Sequence, residues 1–126
     1  MKGSPHGFAT LNPYFTVKDA DGFIAFLSVV FDAEVIKDNR YEDGSVQHAR
    51  LKINDSLIML NQANDTYAPM QMQMHIYIED VDSTFKTAIS EGATSVMEPM
   101  LRPHGDKMAG FYDPMGNTWW IAEAFG

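Results

Sequence analysis

"IYIEDVDSTFKTAISEGA", residues 76–93, joins a strand to a helix within one short stretch. The segment that leads into it, QMQMHIYI at 71–78, alternates apolar residues with other types, which predicts a strand with one buried face. Asp80 can then cap a helix, and Gly92 can end it. The side chains expected on the buried side of that helix are Phe85, Ala88 and Ile89.

The same order of signals occurs 61 residues earlier in the chain. VKD at 17–19 corresponds to IED at 78–80, and Phe23 corresponds to Phe85. Asp19 opens a second predicted helix, whose buried side has the i, i+3, i+4, i+7 spacing of Phe23, Phe26, Leu27 and Val30. A repeat of a whole supersecondary unit indicates a duplicated fold.

Further strands complete each half of this repeat. The predicted strands are 11–17, 34–39, 45–53 and 56–62 in the first half, and 71–78, 95–100, 107–112 and 118–124 in the second. The chain therefore has the order βαβββ twice. We expect one domain over 1–126 with internal modules 8–62 and 70–126, in the α+β class. Because each helix covers only one face of its sheet, we expect a cupped eight-stranded sheet with the helices outside and a ligand wall inside.

Composition excludes several classes of protein. The 126 residues include nine Lys plus Arg against seventeen Asp plus Glu, for a net charge of −8, and no Cys. A partner that offers a phosphate backbone needs a basic surface, so no nucleic acid is expected. The lack of Cys excludes disulfides and thiolate metal sites. No apolar run reaches the roughly 18 residues of a membrane span, so we expect a cytoplasmic protein with no membrane partner.

Three stretches resemble motifs of a known family. These are residues 76–93, the turn and strand DPMGNTWWIA at 113–122, and RPHGDKMAGFYDPMGN at 102–117. Together they resemble the vicinal oxygen chelate superfamily, also called the glyoxalase/bleomycin-resistance/dioxygenase superfamily. The last stretch is most similar to its PhnB-like branch. The resemblance implies the duplicated βαβββ fold, a homodimer, and a small-molecule ligand, while the fold alone does not specify a reaction.

The resemblance also implies where a metal would bind. Enzymes of this family hold one divalent ion with ligands from the first and fourth strands of each module, and the matching positions here are Asn12, Met59, Gln73 and Trp120. None of these is an ordinary ligand for zinc, iron, nickel or manganese. We therefore predict no metal and no other cofactor, with a non-standard divalent site as the alternative.

Strand alternation predicts which side chains face a ligand. In the last strand, Trp119 and Ile121 should pack under a helix, and Trp120 should lie on the opposite face. In the third strand, His48 and Arg50 lie opposite Ala49 and Leu51, where they could meet an anionic group. The candidate ligand-binding residues are Asn12, Tyr14, His48, Arg50, Met59, Gln73, His75, Tyr77 and Trp120.

Three functions are compatible with this pattern. The first is a metal-free protein that binds a small molecule in an aromatic cup. The second is a lyase, isomerase or dioxygenase that uses a non-standard metal site or His75 as a general base. The third is a fold used only for protein interaction. Absence of Ser-His-Asp sets and phosphate-binding Gly loops excludes other common chemistries.

Overall fold

The computed structural model describes residues 8–103 and 105–124, and it divides into two compact units between Met70 and Gln71. The first unit contains β1 (Tyr14–Val17), α1 (Ala20–Phe31), β2 (Glu34–Arg40), β3 (Val46–Ile53) and β4 (Ser56–Gln62). The second contains β5 (Gln73–Tyr77), α2 (Val81–Ser90), β6 (Thr94–Leu101), β7 (Lys107–Tyr112) and β8 (Thr118–Glu123). All eight predicted strands and both helices are present. The predicted domain over 1–126 and its module limits stay predictions, and they include terminal residues outside the described ones.

Each unit forms one four-stranded sheet with the same topology. The strand orders are β1-β4-β3-β2 and β5-β8-β7-β6. The first strand of each unit pairs in parallel with its fourth strand, with Tyr14 opposite Met59 and His75 opposite Trp120. The other pairs are antiparallel. The predicted α+β class and the duplicated order are therefore confirmed.

Helix α1 covers one face of the first sheet. Asp19 caps it by accepting a hydrogen bond from Gly22 N at 3.0 Å, and Asp32 ends it with a left-handed φ of 53°. The predicted buried side is confirmed, because all four of its apolar residues lie in the core. Phe15 and Phe23 pack there with their ring centroids 5.1 Å apart. The opposite face of this sheet carries no helix of its own unit.

Helix α2 has the predicted limits but a shifted buried side. Asp80 accepts from Ser83 N at 3.1 Å, and Gly92 follows the helix with a φ of +103°. Phe85 and Ala88 are buried, whereas Ile89 is 38% exposed, so the prediction for Ile89 is wrong. Val81 takes the buried place instead, since it forms a row with Phe85 and Ala88, and Ile89 lies about 70–80° around the helix from that row.

The first strand is shorter than predicted. It begins at Tyr14, not at residue 11. Asn12 precedes it because its side-chain amide binds the backbone of Ala9 twice: Oδ1 accepts from Ala9 N at 3.1 Å, and Nδ2 donates to Ala9 O at 2.8 Å. A side chain that bonds its own local backbone competes with strand pairing.

Neither helix is suited to cross a membrane. Over 8–103 and 105–124, no helix is long and apolar enough for a span.

Candidate functional site

Tyr14, His48 and Arg50 meet on the face of the first sheet that α1 does not cover. Strand alternation places them there, because Ala49 and Leu51 on the other side of β3 are fully buried. Tyr14 and Arg50 both lie beside Met59 in the register of the sheet. The prediction that His48 and Arg50 share one face is therefore confirmed.

A chain of hydrogen bonds links these side chains. Arg50 Nε donates to His48 Nε2 at 3.2 Å, and His48 Nδ1 lies 3.2 Å from the Tyr14 hydroxyl. A guanidinium can only donate, so His48 Nε2 carries no proton. The ring proton is then on Nδ1 and is donated to the Tyr14 oxygen. The guanidinium of Arg50 also lies over the ring of Phe8, with 4.7 Å from Cζ to the centroid.

The surroundings of His48 and Tyr14 keep both of these side chains uncharged. Burial lowers the pKa of His48 below its ordinary value, and the charges of Arg50 and Lys37 lower it further. Burial likewise raises the pKa of Tyr14, with smaller contributions from neighbouring tyrosines. At neutral pH the imidazole and the phenol are therefore both neutral.

A cavity of about 520 Å³ opens on this face. Six of the side chains that line it are Tyr14, Thr16, Tyr41, His48, Asn61 and Tyr67. Inside it, Thr16 Oγ1 donates to Asn61 Oδ1 at 2.7 Å, and both side chains are buried. Its size is that of a site for a small organic molecule.

Sequence reasoning missed two tyrosines of this cavity. Tyr41 follows β2, and Tyr67 belongs to the linker between the repeats. Tyr67 is positioned by a local turn, in which Asn64 Oδ1 accepts from Thr66 N at 2.9 Å and from Tyr67 N at 2.8 Å. The sequence shows the turn-forming residues of this linker. It does not show which face of the sheet the linker packs against.

In the second unit, Trp120 lies flat against its sheet. The indole nitrogen donates to Gln73 Oε1 at 2.6 Å. Gly110, opposite Trp120 in β7, leaves room for the ring, since a Cβ there would meet Trp120 Cζ3 at 2.5 Å. Trp119 has the opposite direction and is only 2% exposed, so the predicted division between the two indoles is confirmed.

His75 and Tyr77 lie beside this indole on β5. His75 is opposite Trp120 in the parallel register, and both His75 and Tyr77 are exposed. Their ring centroids are 4.9 Å apart in an edge-on arrangement. The Tyr77 hydroxyl donates to Asp106 Oδ2 at 3.4 Å. His75 and Tyr77 thus offer an imidazole and a phenol ring to a ligand.

The four positions at which the resemblance implies metal ligands do not fit a divalent ion. The amide of Asn12 is engaged with Ala9, and Gln73 Oε1 is the acceptor of the Trp120 indole. Met59 supplies only a thioether, and an indole N–H is not a ligand. In the part of the chain that the structure describes, no group of three or more His, Asp or Glu side chains is arranged to hold a metal.

Comparison with known proteins establishes the class. Residues 8–121 match the model of the Glyoxalase/Bleomycin resistance protein/Dioxygenase superfamily. This chain therefore belongs to that superfamily, and the resemblance drawn from its motifs is confirmed.

Individual proteins and solved structures are also similar to this chain. An uncharacterised protein of Mycobacterium bovis, Mb0911c, is 30% identical, with 90% of this chain and 82% of the relative covered. The solved structure of TioX from Micromonospora sp. ML1 has a TM-score of 0.76 at 20% identity and covers 91% of this chain and 99% of its own. A PhnB protein from Bacillus cereus has a TM-score of 0.75 at 19% identity, with the same two coverages. These structures share the fold.

Proposed function

We propose that this protein binds a small organic molecule on the sheet faces that α1 and α2 leave uncovered. The observation that carries the proposal is the cavity of about 520 Å³ with Tyr14, Tyr41 and Tyr67 in its lining. Tyrosines offer apolar area and a hydroxyl together, which suits a ring that carries polar groups. The indole of Trp120, held by Gln73, is a second aromatic surface of the same kind in the other unit.

The binding we propose needs no metal. The reason is chemical: the amide, thioether and indole groups at the four family positions are poor ligands, and both amides already have protein partners. The aromatic group of Trp120 takes the place of a ligating side chain, and stacking adds about 0.5–1.5 kcal/mol per aromatic contact beyond burial.

The name of the superfamily and that of one similar structure suggest the first probes. The superfamily is named in part for bleomycin resistance, and a solved structure with a TM-score of 0.67 is a fosfomycin resistance protein from Mesorhizobium loti. We would titrate ¹⁵N-labelled protein with metal-free bleomycin, fosfomycin and a library of aromatic fragments, with and without EDTA. Binders that shift the amides around Tyr14, His48 and Asn61, unaffected by EDTA, would support the proposal. A library without a binder on either sheet face would contradict it.

We also propose that the protein is a homodimer in the cytoplasm. The support for the dimer is the family resemblance. Size-exclusion chromatography with light scattering tests it directly: a mass of twice 14.1 kDa is expected, and a mass of 14.1 kDa at all concentrations would contradict it.

The enzymatic alternative stays a prediction. In it, His75 acts as the general base of a lyase, isomerase or dioxygenase. If a turnover is found with any bound probe, His75→Ala is the deciding variant, and unchanged turnover would remove His75 from the mechanism.

A further inference from the structure

Two hydrogen-bond chains of fixed direction run toward the cavity of the first unit. The first starts at Arg50, passes through His48 and ends at the hydroxyl of Tyr14. Because Tyr14 accepts the Nδ1 proton of His48, its own hydroxyl hydrogen is not used within the chain. Tyr14 is 42% exposed and lines the cavity, so that hydrogen can be donated to a ligand.

The second chain consists of Thr16 and Asn61. Asn61 Nδ2 donates to the backbone oxygen of Gln62 at 3.2 Å, and this contact identifies the amide nitrogen, since a carbonyl can only accept. Asn61 Oδ1 therefore faces Thr16, whose hydroxyl must donate to it. The amide nitrogen has a second hydrogen beyond the one directed at Gln62. With Oδ1 engaged by Thr16, this second hydrogen is the donor that Asn61 can offer to a ligand in the cavity.

The charged side chains near His48 also favour a ligand with an acceptor oxygen. Lys37 and Arg50 are opposite each other in the register of β2 and β3, and both charges act on His48. Asp38, which follows Lys37 in β2, has its carboxylate paired with Arg40 at 3.0 Å. In a chain of net charge −8, two cations thus act on His48, which lines the cavity. A cationic site of this type attracts an anionic oxygen.

We infer that this cavity selects planar ligands that present an oxygen acceptor, above all aromatic carboxylates and phenolates. The inference rests on the proposed function, because it names the chemistry of a ligand held at the same site. Tyr14 and Asn61 are the donors, the tyrosine rings contact the plane of the ligand, and His48 and Arg50 are positioning residues that keep the Tyr14 hydroxyl directed at it.

Three small probes that share one ring test this selection. Benzoate offers an anionic acceptor, benzamide a neutral acceptor, and benzylamine a cationic donor. Dissociation constants are measured by ¹H–¹⁵N NMR titration near pH 7.5. We expect benzoate to bind most tightly, and benzylamine at least about tenfold more weakly, because its ammonium cannot accept from Tyr14 or Asn61 and is repelled by the charges of Lys37 and Arg50.

Tyr14→Phe removes the terminal donor and keeps the ring. It should weaken benzoate by about tenfold or more and leave benzylamine unchanged. The matched control is Tyr112→Phe, the same change at a tyrosine of similar exposure, 46% against 42%, that lies in β7 of the other unit. A general loss of structure would weaken the binding of both benzoate and benzylamine, and the ratio of their dissociation constants would then stay the same.

The outcomes separate this inference from the function on which it rests. If benzylamine binds as tightly as benzoate, or if Tyr14→Phe matches Tyr112→Phe, the cavity binds small molecules without selecting acceptors, and only the inference fails. If none of the three probes binds on this face but another compound of the fragment library does, the inference alone fails. If no compound binds on either sheet face, the proposed function is contradicted as well.

Discussion

At the scale of single residues, the indole of Trp119 donates to Asp113 Oδ2 at 2.7 Å, and the indole of Trp120 donates to Gln73 Oε1 at 2.6 Å. The first indole fills the core, and its buried N–H needs the carboxylate as a partner. The second lies on the uncovered face, above a glycine that gives it room. Each indole is thus positioned by one hydrogen bond, and that of Trp120 also by the space above Gly110, which a substitution can test.

Gly110→Ala should displace the indole of Trp120. The new Cβ would lie 2.5 Å from Cζ3 and 2.6 Å from Cε3, so the ring must move away from the sheet. We expect the fluorescence emission to shift to longer wavelength and the free energy of unfolding to fall by about 1–3 kcal/mol, the usual cost of overpacking.

The control for this change is the Trp120→Phe background. There the emission comes from Trp119 alone, and Gly110→Ala should leave its wavelength unchanged. An identical spectrum for wild type and Gly110→Ala would show that Trp120 does not lie over Gly110.

Arg50→Gln should raise the pKa of His48. Burial is the largest cause of the lowered value, and the charge of Arg50 is the next, ahead of that of Lys37. Because the folded-state pKa lies below the ordinary 6.5, the neutral ring stabilises the fold above pH 6.5. That contribution is lost as the pH falls through the folded-state pKa.

The measurement is an NMR titration of the imidazole, which also reports whether the proton is on Nδ1. Lys37→Gln is the matched control and should raise the pKa less. A larger effect from Lys37→Gln than from Arg50→Gln would contradict the proposed contacts of His48.

At the scale of elements, both units provide a side-chain acceptor for the first backbone N–H of their helix. Gln62 at the end of β4 accepts from Ala20 N at 2.8 Å, and Glu123 at the end of β8 accepts from Val81 N at 2.8 Å. These residues are 61 apart, the period of the repeat. Each one ties the last strand of its unit to the first turn of the helix, where N–H groups lack partners within the helix.

Gln62→Ala and Glu123→Ala should each lower the free energy of unfolding by about 1 kcal/mol, the usual effect of losing a cap. Glu123→Gln is the conservative counterpart, since the first unit uses Gln at the same place, and it should retain most of the stability. Chemical denaturation provides the comparison. If Glu123→Gln is as destabilising as Glu123→Ala, then charge and not the hydrogen bond is the cause.

At the scale of the whole molecule, the family assignment suggests a metal site, whereas the chemistry of the four ligand positions argues against one. The superfamily is shown by the match over 8–121, while Asn12, Met59, Gln73 and Trp120 do not offer a metal the groups it needs. A member of a family can keep the fold and change the site. The metal content of the intact protein decides whether a divalent ion is bound.

We expect purified, untagged protein to contain no stoichiometric Zn, Ni, Mn or Fe after dialysis, and its melting temperature to be unaffected by EDTA or by added ions. A tightly bound ion would stabilise the folded state in proportion to the logarithm of its concentration. Elemental analysis and thermal unfolding measure the two quantities. One equivalent of metal that resists dialysis would contradict the metal-free proposal and favour the enzymatic alternative.

Local pattern was sufficient to predict most of the fold. Alternation in β4 and β8 and the helical spacing after Asp19 depend on neighbours in the chain, so they can be read without coordinates. Two predictions were wrong for local reasons. The side chain of Asn12 binds the backbone of Ala9, so this residue does not join β1. Ile89 lies beside the buried row of α2 and is exposed. Within the candidate site, the face shared by Tyr14, His48 and Arg50 followed from the same alternation.

The sequence by itself determined the class of fold and which side chains of each strand leave the core, because these follow from short-range periodicity. It also determined the repeat, through signals that recur after 61 residues, and the family, through the resemblance of three motifs. Only the tertiary structure decided that Tyr67 returns to the cavity, that Glu123 caps α2, and that hydrogen bonds run from Arg50 through His48 to Tyr14. The last of these contacts joins residues 34 positions apart, and the cap joins residues 42 apart. Such distances and donor directions depend on how whole strands meet, which no local pattern encodes.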